Sequence, residues 1–293
     1  MMMMMMMMMM ICNAVKHKRP ADQKSAKNVK KPRKAEVNYL PPYPAGEDEE
    51  SQENERIELL TELKKRDNDT LIKEKMAKTF AHRRHEIINQ TPSIEDVKTR
   101  WPALFKASHL QDEFHRITTV HLESKFMSKL DEYTPKLLAL FHSKGGALGL
   151  RLKAILHKNM INMIINMTRE VVIRCLMVYL GESTYQLLKE YEDADGDSVS
   201  QDLAVQKMKI YKIKTETEGT ADFGFVVDGV KVLTALGNFA RACSMLVGFA
   251  YAVDLTYPKE LRYTFEVFQK LLLELDCLKL SPKVNSLKNK LLA

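Results

Sequence analysis

The amino-acid sequence predicts a mainly α fold: a multi-helix globular body with a small antiparallel β-hairpin or three-stranded insertion, preceded by a disordered basic tail. Three observations lead to this prediction. Apolar residues recur at helical spacing along most of residues 47–293, the pattern becomes that of β-strands near residues 206–233, and residues 11–46 have almost no apolar periodicity. With 293 residues, 45% of them apolar, the chain is long enough to bury a substantial core.

The first 46 residues are expected to form a disordered basic tail that ends in a Pro-rich linker. Residues 1–10 are all Met without the features of a signal peptide, and we interpret them as a translated simple repeat or gene-model artefact. The segment 39–44, Tyr-Leu-Pro-Pro-Tyr-Pro, favours an extended polyproline conformation. Residues 11–46 carry nine Lys or Arg and two acidic residues, a net charge of +7, so residues 47–293 are neutral overall. Long-range attraction to polyanions is therefore expected mainly of the tail.

Start signals and apolar spacing mark the first helices of the body. The acidic run 47–50 favours the positive end of a first helix, whose predicted apolar stripe is Ile57, Leu60 and Leu63. A second helix is predicted after Asn68 or Asp69, with four apolar residues at helical spacing: Ile72, Met76, Phe80 and Ile87. Ser93 and Asp96 form a possible capping box for a short helix that ends near Trp101-Pro102.

The middle of the chain is expected to be helical throughout. Leu110, Phe114 and Ile117 mark one helix, residues 122–133 another, and Thr134-Pro135 a fresh start that ends at Gly145-Gly146. Residues 148–167 are so densely apolar that we expect a central helix covered on at least two sides. Thr168 is the predicted cap of the next helix, and a boundary near residue 168 would divide the body into two subdomains.

The β pattern is confined to one region of the sequence. Residues 208–213 and 223–227 are predicted strands, and Asp228-Gly229 before residues 230–233 is typical of a two-residue hairpin turn. Helical spacing then resumes in three further segments: residues 236–249, a helix beginning at Pro258, and a short last helix that opens at Ser281-Pro282.

The tail carries a motif that resembles a two-part nuclear import signal. Ten residues separate a basic pair from a cluster with four basic residues of five, and the candidate residues are Lys18, Arg19, Lys30, Lys31, Arg33 and Lys34. An unfolded segment of this kind can reach the acidic pockets of an import carrier. We therefore expect a nuclear protein; if the tail is only a solvated charge run with no reader, the protein is cytoplasmic.

Two further features bear on the compartment. The four cysteines, Cys12, Cys175, Cys243 and Cys277, are far apart, and three lie within apolar helical patterns, which fits a reducing environment. The longest apolar stretch, 242–253, is shorter than the ~20 residues that cross a bilayer, so we expect no membrane association.

The leading functional hypothesis is a non-enzymatic protein-interaction protein. Trp101, Phe265 and Phe268 are candidate residues for a surface that docks a protein partner, although aromatic residues at such spacing are more often core. The alternative is a nucleic-acid-binding protein that uses the basic tail and a helix face around Lys78, Arg83 and Arg84. A third hypothesis is an enzyme whose residues converge only in the folded chain.

Several patterns suggest site chemistry but lack the complete residue set. His82 and His85 lie at i and i+3 without the further ligands that structural zinc needs. The run Asp193-Ala-Asp195-Gly-Asp197 has Ser198 where a calcium loop needs Gly, and Gly145–Gly149 lacks the Lys and Ser/Thr of a phosphate loop. No nucleophile elbow or zinc-protease motif is present, and we expect no enzyme activity, cofactor or metal.

Several stretches together resemble one protein family. They are Asn38-Tyr-Leu-Pro41, Lys78-Thr-Phe-Ala-His82-Arg-Arg, Arg100-Trp-Pro-Ala-Leu-Phe105, Phe114-His-Arg-Ile-Thr118, Leu130-Asp-Glu-Tyr-Thr134 and Tyr257-Pro-Lys-Glu-Leu-Arg-Tyr-Thr-Phe265. These residues resemble a group of fish proteins similar to sterile alpha motif domain-containing protein 3, over a region from about Lys16 to the C-terminus. We expect no sterile alpha motif itself in this chain, because the tail is too short and polar for a module of about 65 residues. The resemblance implies no particular activity.

Overall fold

A computed structural model describes residues 39–157, 165–191, 196–214 and 221–293 of the chain. The described part is mainly helical and contains one small sheet, which confirms the predicted fold class in its main feature. Residues 1–38 of the predicted tail lie outside the described residues. This holds for its predicted disorder there and for the import-like residues Lys18, Arg19, Lys30, Lys31, Arg33 and Lys34. They remain predictions.

The first half of the body is built from six helices and a short turn of 3₁₀ helix. They are α1 Glu49–Glu62, α2 Asp69–Lys78, α3 Phe80–Gln90, α4 Ile94–Arg100, the 3₁₀ turn Pro102–Phe105, α5 Ala107–Thr118 and α6 Leu122–His142. The Ser93 side chain accepts a hydrogen bond from the backbone N–H of Asp96, and the Asp96 side chain accepts one from the backbone N–H of Ser93, so the predicted capping box is confirmed. The predicted end of α4 at Trp101-Pro102 is also confirmed.

The buried side of α1 differs from the predicted stripe. Ile57 is half exposed, whereas Gln52, Arg56 and Leu59 are buried. Arg56 is drawn inward because its guanidinium is held by Glu53 and lies 5.9 Å from the centre of the Trp101 ring. The buried side of α1 therefore combines one leucine with two polar side chains.

The restart predicted at Thr134-Pro135 is wrong, since α6 continues through Pro135 to His142. Proline removes one intrahelical hydrogen bond and usually breaks or kinks a helix. Here the buried side chains of Leu130, Leu137 and Phe141 hold the segments on either side of Pro135 against the core. Tertiary packing thus overrides the local signal.

The second half of the body has shorter helical segments. They are α7 Gly146–His157, α8 Ile165–Tyr179, α9 Thr184–Leu187, α10 Gly196–Ala204, α11 Phe239–Ala252, the 3₁₀ turn Lys259–Leu261, α12 Arg262–Val267, the π-helical turn Phe268–Leu272 and α13 Pro282–Leu292. Thr168 lies inside α8, so its predicted capping role is wrong. The predicted start of the last helix is confirmed, because Ser281 caps α13 through the backbone N–H of Val284.

The sheet has four strands in sequence order: β1 Leu188–Tyr191, β2 Met208–Lys214, β3 Ala221–Val227 and β4 Val230–Leu233. The predicted hairpin between β3 and β4 is confirmed, with Asp228 and Gly229 both at positive φ, as the two-residue turn requires. The prediction of an antiparallel hairpin or three-stranded sheet is wrong in strand number and type, because β1 adds a fourth, parallel strand beside β2. The short, charged sequence of β1 gave no strand pattern.

Helix α11 is the centre of the core, since all of its residues except Arg241 are buried. A Cβ atom added to Gly248 would lie 2.4 Å from a methyl carbon of Leu122, so glycine permits α11 and α6 to pack closely. One face of the sheet joins this core, whereas the other packs Tyr211 and Val226 against α10. None of the described helices has the length and apolar content needed to span a membrane.

Candidate functional site

The three aromatic residues predicted to dock a partner are buried instead. Trp101 is 1% exposed, and Phe265 and Phe268 are both 0% exposed. Phe268 packs edge-on against Phe126 of α6, and Phe265 stacks on the ring of Tyr257 at 4.5 Å. The expected partner surface at these residues is therefore wrong for the folded chain, because their rings have the core as their neighbour.

Trp101 is the centre of a polar cluster between α1, α3 and α4. Its indole Nε1–H donates to Glu86 at 3.0 Å, and the guanidinium of Arg83 lies 5.0 Å from its ring centre. Glu86 also accepts a hydrogen bond from Arg100. Glu53 accepts from Arg56, His82 and Arg100, and these partners lower its pKa to about 2, Arg56 most strongly.

Arg83 and Arg84, the expected nucleic-acid-binding arginines, point into the protein and are 0% exposed. Arg83 forms a two-point ion pair with Glu113 of α5, which is also fully buried. Burial opposes the charge on Glu113, but Arg83 and Arg116 hold the pKa of this carboxyl below its usual value. This pair is a structural connection between α3 and α5.

Arg84 closes the C-terminal end of α11. Its Nη1 donates to the carbonyl oxygen of Ala252 at 2.9 Å, which places a cation at the negative end of the helix dipole. Burial lowers the pKa of Arg84. Lys78 is partly exposed, yet its ammonium group pairs with Glu55 and Glu47. The basic face predicted around Lys78, Arg83 and Arg84 is consequently not available to phosphates.

The two histidines of α3 have separate roles. His82 lies 3.1 Å from a carboxylate oxygen of Glu53, whereas His85 donates to the carbonyl oxygen of Pro41 and stacks on Tyr43 at 5.3 Å. The Pro-rich linker is thus attached to α3 rather than loose at this point. Within the described residues, no three His, Cys, Asp or Glu side chains are grouped as metal ligands.

The acidic run 193–197 is only partly described by the structure, whereas the glycine-rich segment 145–149 is described in full. Asp193 and Asp195 of the acidic run lie outside the described residues. Residues 143–145 connect α6 to α7, so Gly145 ends the helix-to-helix turn and Gly149 lies in the first turn of α7, where a Cβ atom would lie 2.2 Å from the carbonyl oxygen of Lys144. Gly149 therefore serves close backbone packing.

A cleft of about 530 Å³ opens between the sheet and the segment that follows α11. Residues 205–209 form one side of the cleft, residues 255–261 the other, and Gln186, Val227 and Asp228 complete it. Its lining mixes apolar side chains with three lysines and two acids. Two apolar side chains at or beside this cleft are strongly exposed: Tyr185 at 83% and Val205 at 77%.

Lys209 is the most confined of the cleft lysines. Its ammonium group donates to the carbonyl oxygens of Tyr185 and Gln186 at 2.8 and 2.9 Å, which fixes α9 beside β2. Burial, together with the nearby Lys189, lowers the pKa of Lys209. Lys207 and Lys259 are exposed, and so are the acids Asp228 and Glu260, so the cleft has a rim of mixed charge over a partly apolar floor.

Sequence reasoning missed this cleft because its sides come from segments about 50 residues apart. The sequence does not distinguish Val205 and Tyr185 from nearby apolar residues such as Leu187 and Leu203, and single exposed apolar residues are common. The buried arginines were missed for a related reason, since the partners of Arg83 and Arg84 are a carboxylate of α5 and a backbone carbonyl of α11.

Comparison with known proteins gives one match. No curated protein and no solved structure matches the chain. Residues 52–106, which include the Trp101 cluster and the buried arginines of α3, match the family model of the helical domain of sterile alpha motif domain-containing protein 3. The chain is therefore similar to sterile alpha motif domain-containing protein 3 in this helical region.

Proposed function

We propose that this chain is a non-enzymatic protein-interaction protein that enters the nucleus by means of its basic tail and binds a partner protein through the cleft beside Tyr185 and Val205. The observation that carries the proposal is the exposure of two apolar side chains, Val205 in the lining of a partly apolar cleft and Tyr185 next to the lining residue Gln186. Exposed apolar side chains that border a concave surface are typical of interaction sites. The predicted surface at Trp101, Phe265 and Phe268 is replaced by this cleft.

The charge distribution supports the division of labour. In the first half of the body, cations form ion pairs within the chain, as in Arg83–Glu113 and Lys75–Glu55. The basic residues of the tail are arranged differently, because the clusters 18–19 and 30–34 have the spacing of a two-part nuclear import signal. The tail would then determine location, and the body would determine the partner.

Site-specific photo-crosslinking in cells tests the partner site. A photoreactive amino acid is placed at Val205 in the full-length chain, and the matched control is Leu150 of α7, an apolar residue that is 71% exposed. We expect a discrete crosslinked protein from position 205 but not from position 150. Identical crosslink patterns at the two positions would contradict the proposed site. So would a Tyr185→Ser variant that still gives every crosslinked product from position 205.

A further inference from the structure

A second surface of the body carries cations that are arranged around two tyrosines. The ammonium groups of Lys144 and Lys290 lie 5.8 and 5.6 Å from the ring centre of Tyr179. At Tyr263, the guanidinium of Arg262 lies 4.4 Å and the ammonium of Lys283 4.7 Å from the ring centre. We call these four cations and two tyrosines the cation–tyrosine surface.

The four cations form no ion pair with a carboxylate of the described residues. Three of them donate instead to neutral oxygens: Lys290 to the hydroxyl of Tyr179 at 2.9 Å, Arg262 to that of Tyr263 at 2.5 Å, and Lys283 to the carbonyl of Leu180 at 3.0 Å. This differs from the lysines at positions 75, 78, 125 and 129, which all contact glutamates.

The acidic residue Glu182 lies near this surface, and its carboxylate is hydrogen-bonded to α12. The buried carboxylate of Glu182 accepts hydrogen bonds from the N–H groups of Tyr263 and Thr264 and from the Thr264 hydroxyl. Burial raises the pKa of Glu182, although these bonds and the charge of Lys283 favour its ionised form. It therefore holds the start of α12 rather than neutralising the exposed lysines.

Helix α13 gives the surface its spacing. The helix contains Lys283, Lys288 and Lys290 and no acidic residue. Positions 283 and 290 are seven residues apart, so they lie on one face of the helix, separated by about 10 Å along its axis. Each reaches one of the two tyrosines, and the cations consequently form a row rather than a single point.

We infer that the cation–tyrosine surface binds the phosphate backbone of a nucleic acid. Lysine, arginine and tyrosine hydroxyl groups are common phosphate contacts, and a row of unneutralised cations matches a linear polyanion. Each tyrosine ring already has two cations close to it, which favours contact with the backbone over stacking on a base. The contact is therefore independent of base sequence, and the tail of the same chain supplies a second group of cations.

Fluorescence anisotropy with the full-length chain tests this inference. The probes are a labelled mixed-sequence duplex DNA of 20 base pairs and a labelled single-stranded RNA of 20 nucleotides, each titrated at several salt concentrations. The test variant is K283Q/K290Q, and the matched control K98Q/K136Q removes the same charge from two exposed lysines of α4 and α6. We expect the test variant to bind roughly tenfold more weakly and to lower the slope of log K against log salt by about 0.7 to 0.9 per lost contact. The control should bind like the wild type.

Two further arms make the outcome specific. A full-length variant with glutamine at the six import-like positions should bind more weakly, and K283Q/K290Q should reduce its binding further if the two groups of cations act separately. Unchanged affinity of K283Q/K290Q, or an equal loss in K98Q/K136Q, would overturn the inference. So would tighter, Lys283-dependent binding of a polyglutamate peptide of 20 residues, because an acidic protein would then be the better partner. None of these outcomes depends on the crosslinking at position 205.

Discussion

Arg83 and Glu113 form a fully buried, two-point ion pair, with Nε to Oε1 at 2.7 Å and Nη2 to Oε2 at 2.6 Å. The pair joins α3 to α5, and Arg83 also donates to the carbonyl oxygen of Met76 at 2.8 Å. Both side chains are fully shielded from water, so the charge of Arg83 depends on Glu113 for its compensation. We therefore expect Glu113 to be needed for the stability of the fold.

The first prediction concerns the Arg83–Glu113 pair. Glu113→Gln leaves the Arg83 charge buried without a counter-charge, which typically costs about 3 to 5 kcal/mol of unfolding free energy. Urea unfolding followed by circular dichroism measures this loss. The exposed change Glu95→Gln is the control and should shift the midpoint little. Replacement of both partners, R83M/E113L, should recover much of the stability; a Glu113→Gln variant as stable as the wild type would contradict this role.

The second prediction concerns Gly224 in β3. Its cross-strand neighbour is Tyr211, and a Cβ atom at position 224 would lie 2.2 Å from the tyrosine hydroxyl and 2.6 Å from the carbonyl oxygen of Leu233. Gly224→Ala should therefore destabilise the chain by about 1 to 3 kcal/mol, as overpacking does. Gly145→Ala is the matched control, because a Cβ atom there has nothing within 4 Å. Equal melting temperatures of the two variants would show that the sheet can relax around position 224.

The third prediction concerns pH. The pKa of Glu53 is about 2 in the folded chain, below its ordinary value of 4.5. Because a depressed pKa stabilises the fold above the unfolded-state pKa, this contribution should be lost as pH falls from about 5 towards 2. Glu53 is partly exposed, so we expect only about 1 kcal/mol. Urea midpoints between pH 7 and pH 3 should fall less for Glu53→Gln than for the wild type; parallel curves would refute the assignment.

The fourth prediction uses Trp101, the chain's one tryptophan. Since its side chain is buried, iodide should quench the native fluorescence weakly and the urea-unfolded fluorescence strongly. The fluorescence and circular dichroism transitions should share one midpoint, because Trp101 belongs to the main core. Strong quenching in the native state would restore Trp101 as a surface residue.

The sequence predicted those parts of the fold that depend on neighbours along the chain. The capping box Ser93–Asp96, the Asp228-Gly229 turn and the start of α13 at Ser281 are local interactions, and all three are confirmed. Prediction failed where distant contacts decide. Pro135 stays helical because both flanks are packed, and β1 is a strand because β2 provides its hydrogen-bonding edge.

The candidate sites show the same division. Charge alone assigned Arg83 and Arg84 to a surface, but Glu113 and the end of α11 draw them inward. The cation–tyrosine surface could not be found from spacing, because Tyr179 of α8, Tyr263 of α12 and Lys144 before α7 come together only in the folded chain. The one sign of it in the sequence was that lysine is the only type of charged residue in α13.

The nuclear fraction of the tagged full-length chain tests most directly whether the tail determines location and the body binds the partner. Alanine at Lys18, Arg19, Lys30, Lys31, Arg33 and Lys34 should move the protein to the cytoplasm, while alanine at Lys24 and Lys27, basic residues between the two clusters, should leave it nuclear. The crosslinked partner at position 205 should persist in cell extract for both variants. A wild-type chain excluded from the nucleus, or equal nuclear fractions for the two tail variants, would contradict the account.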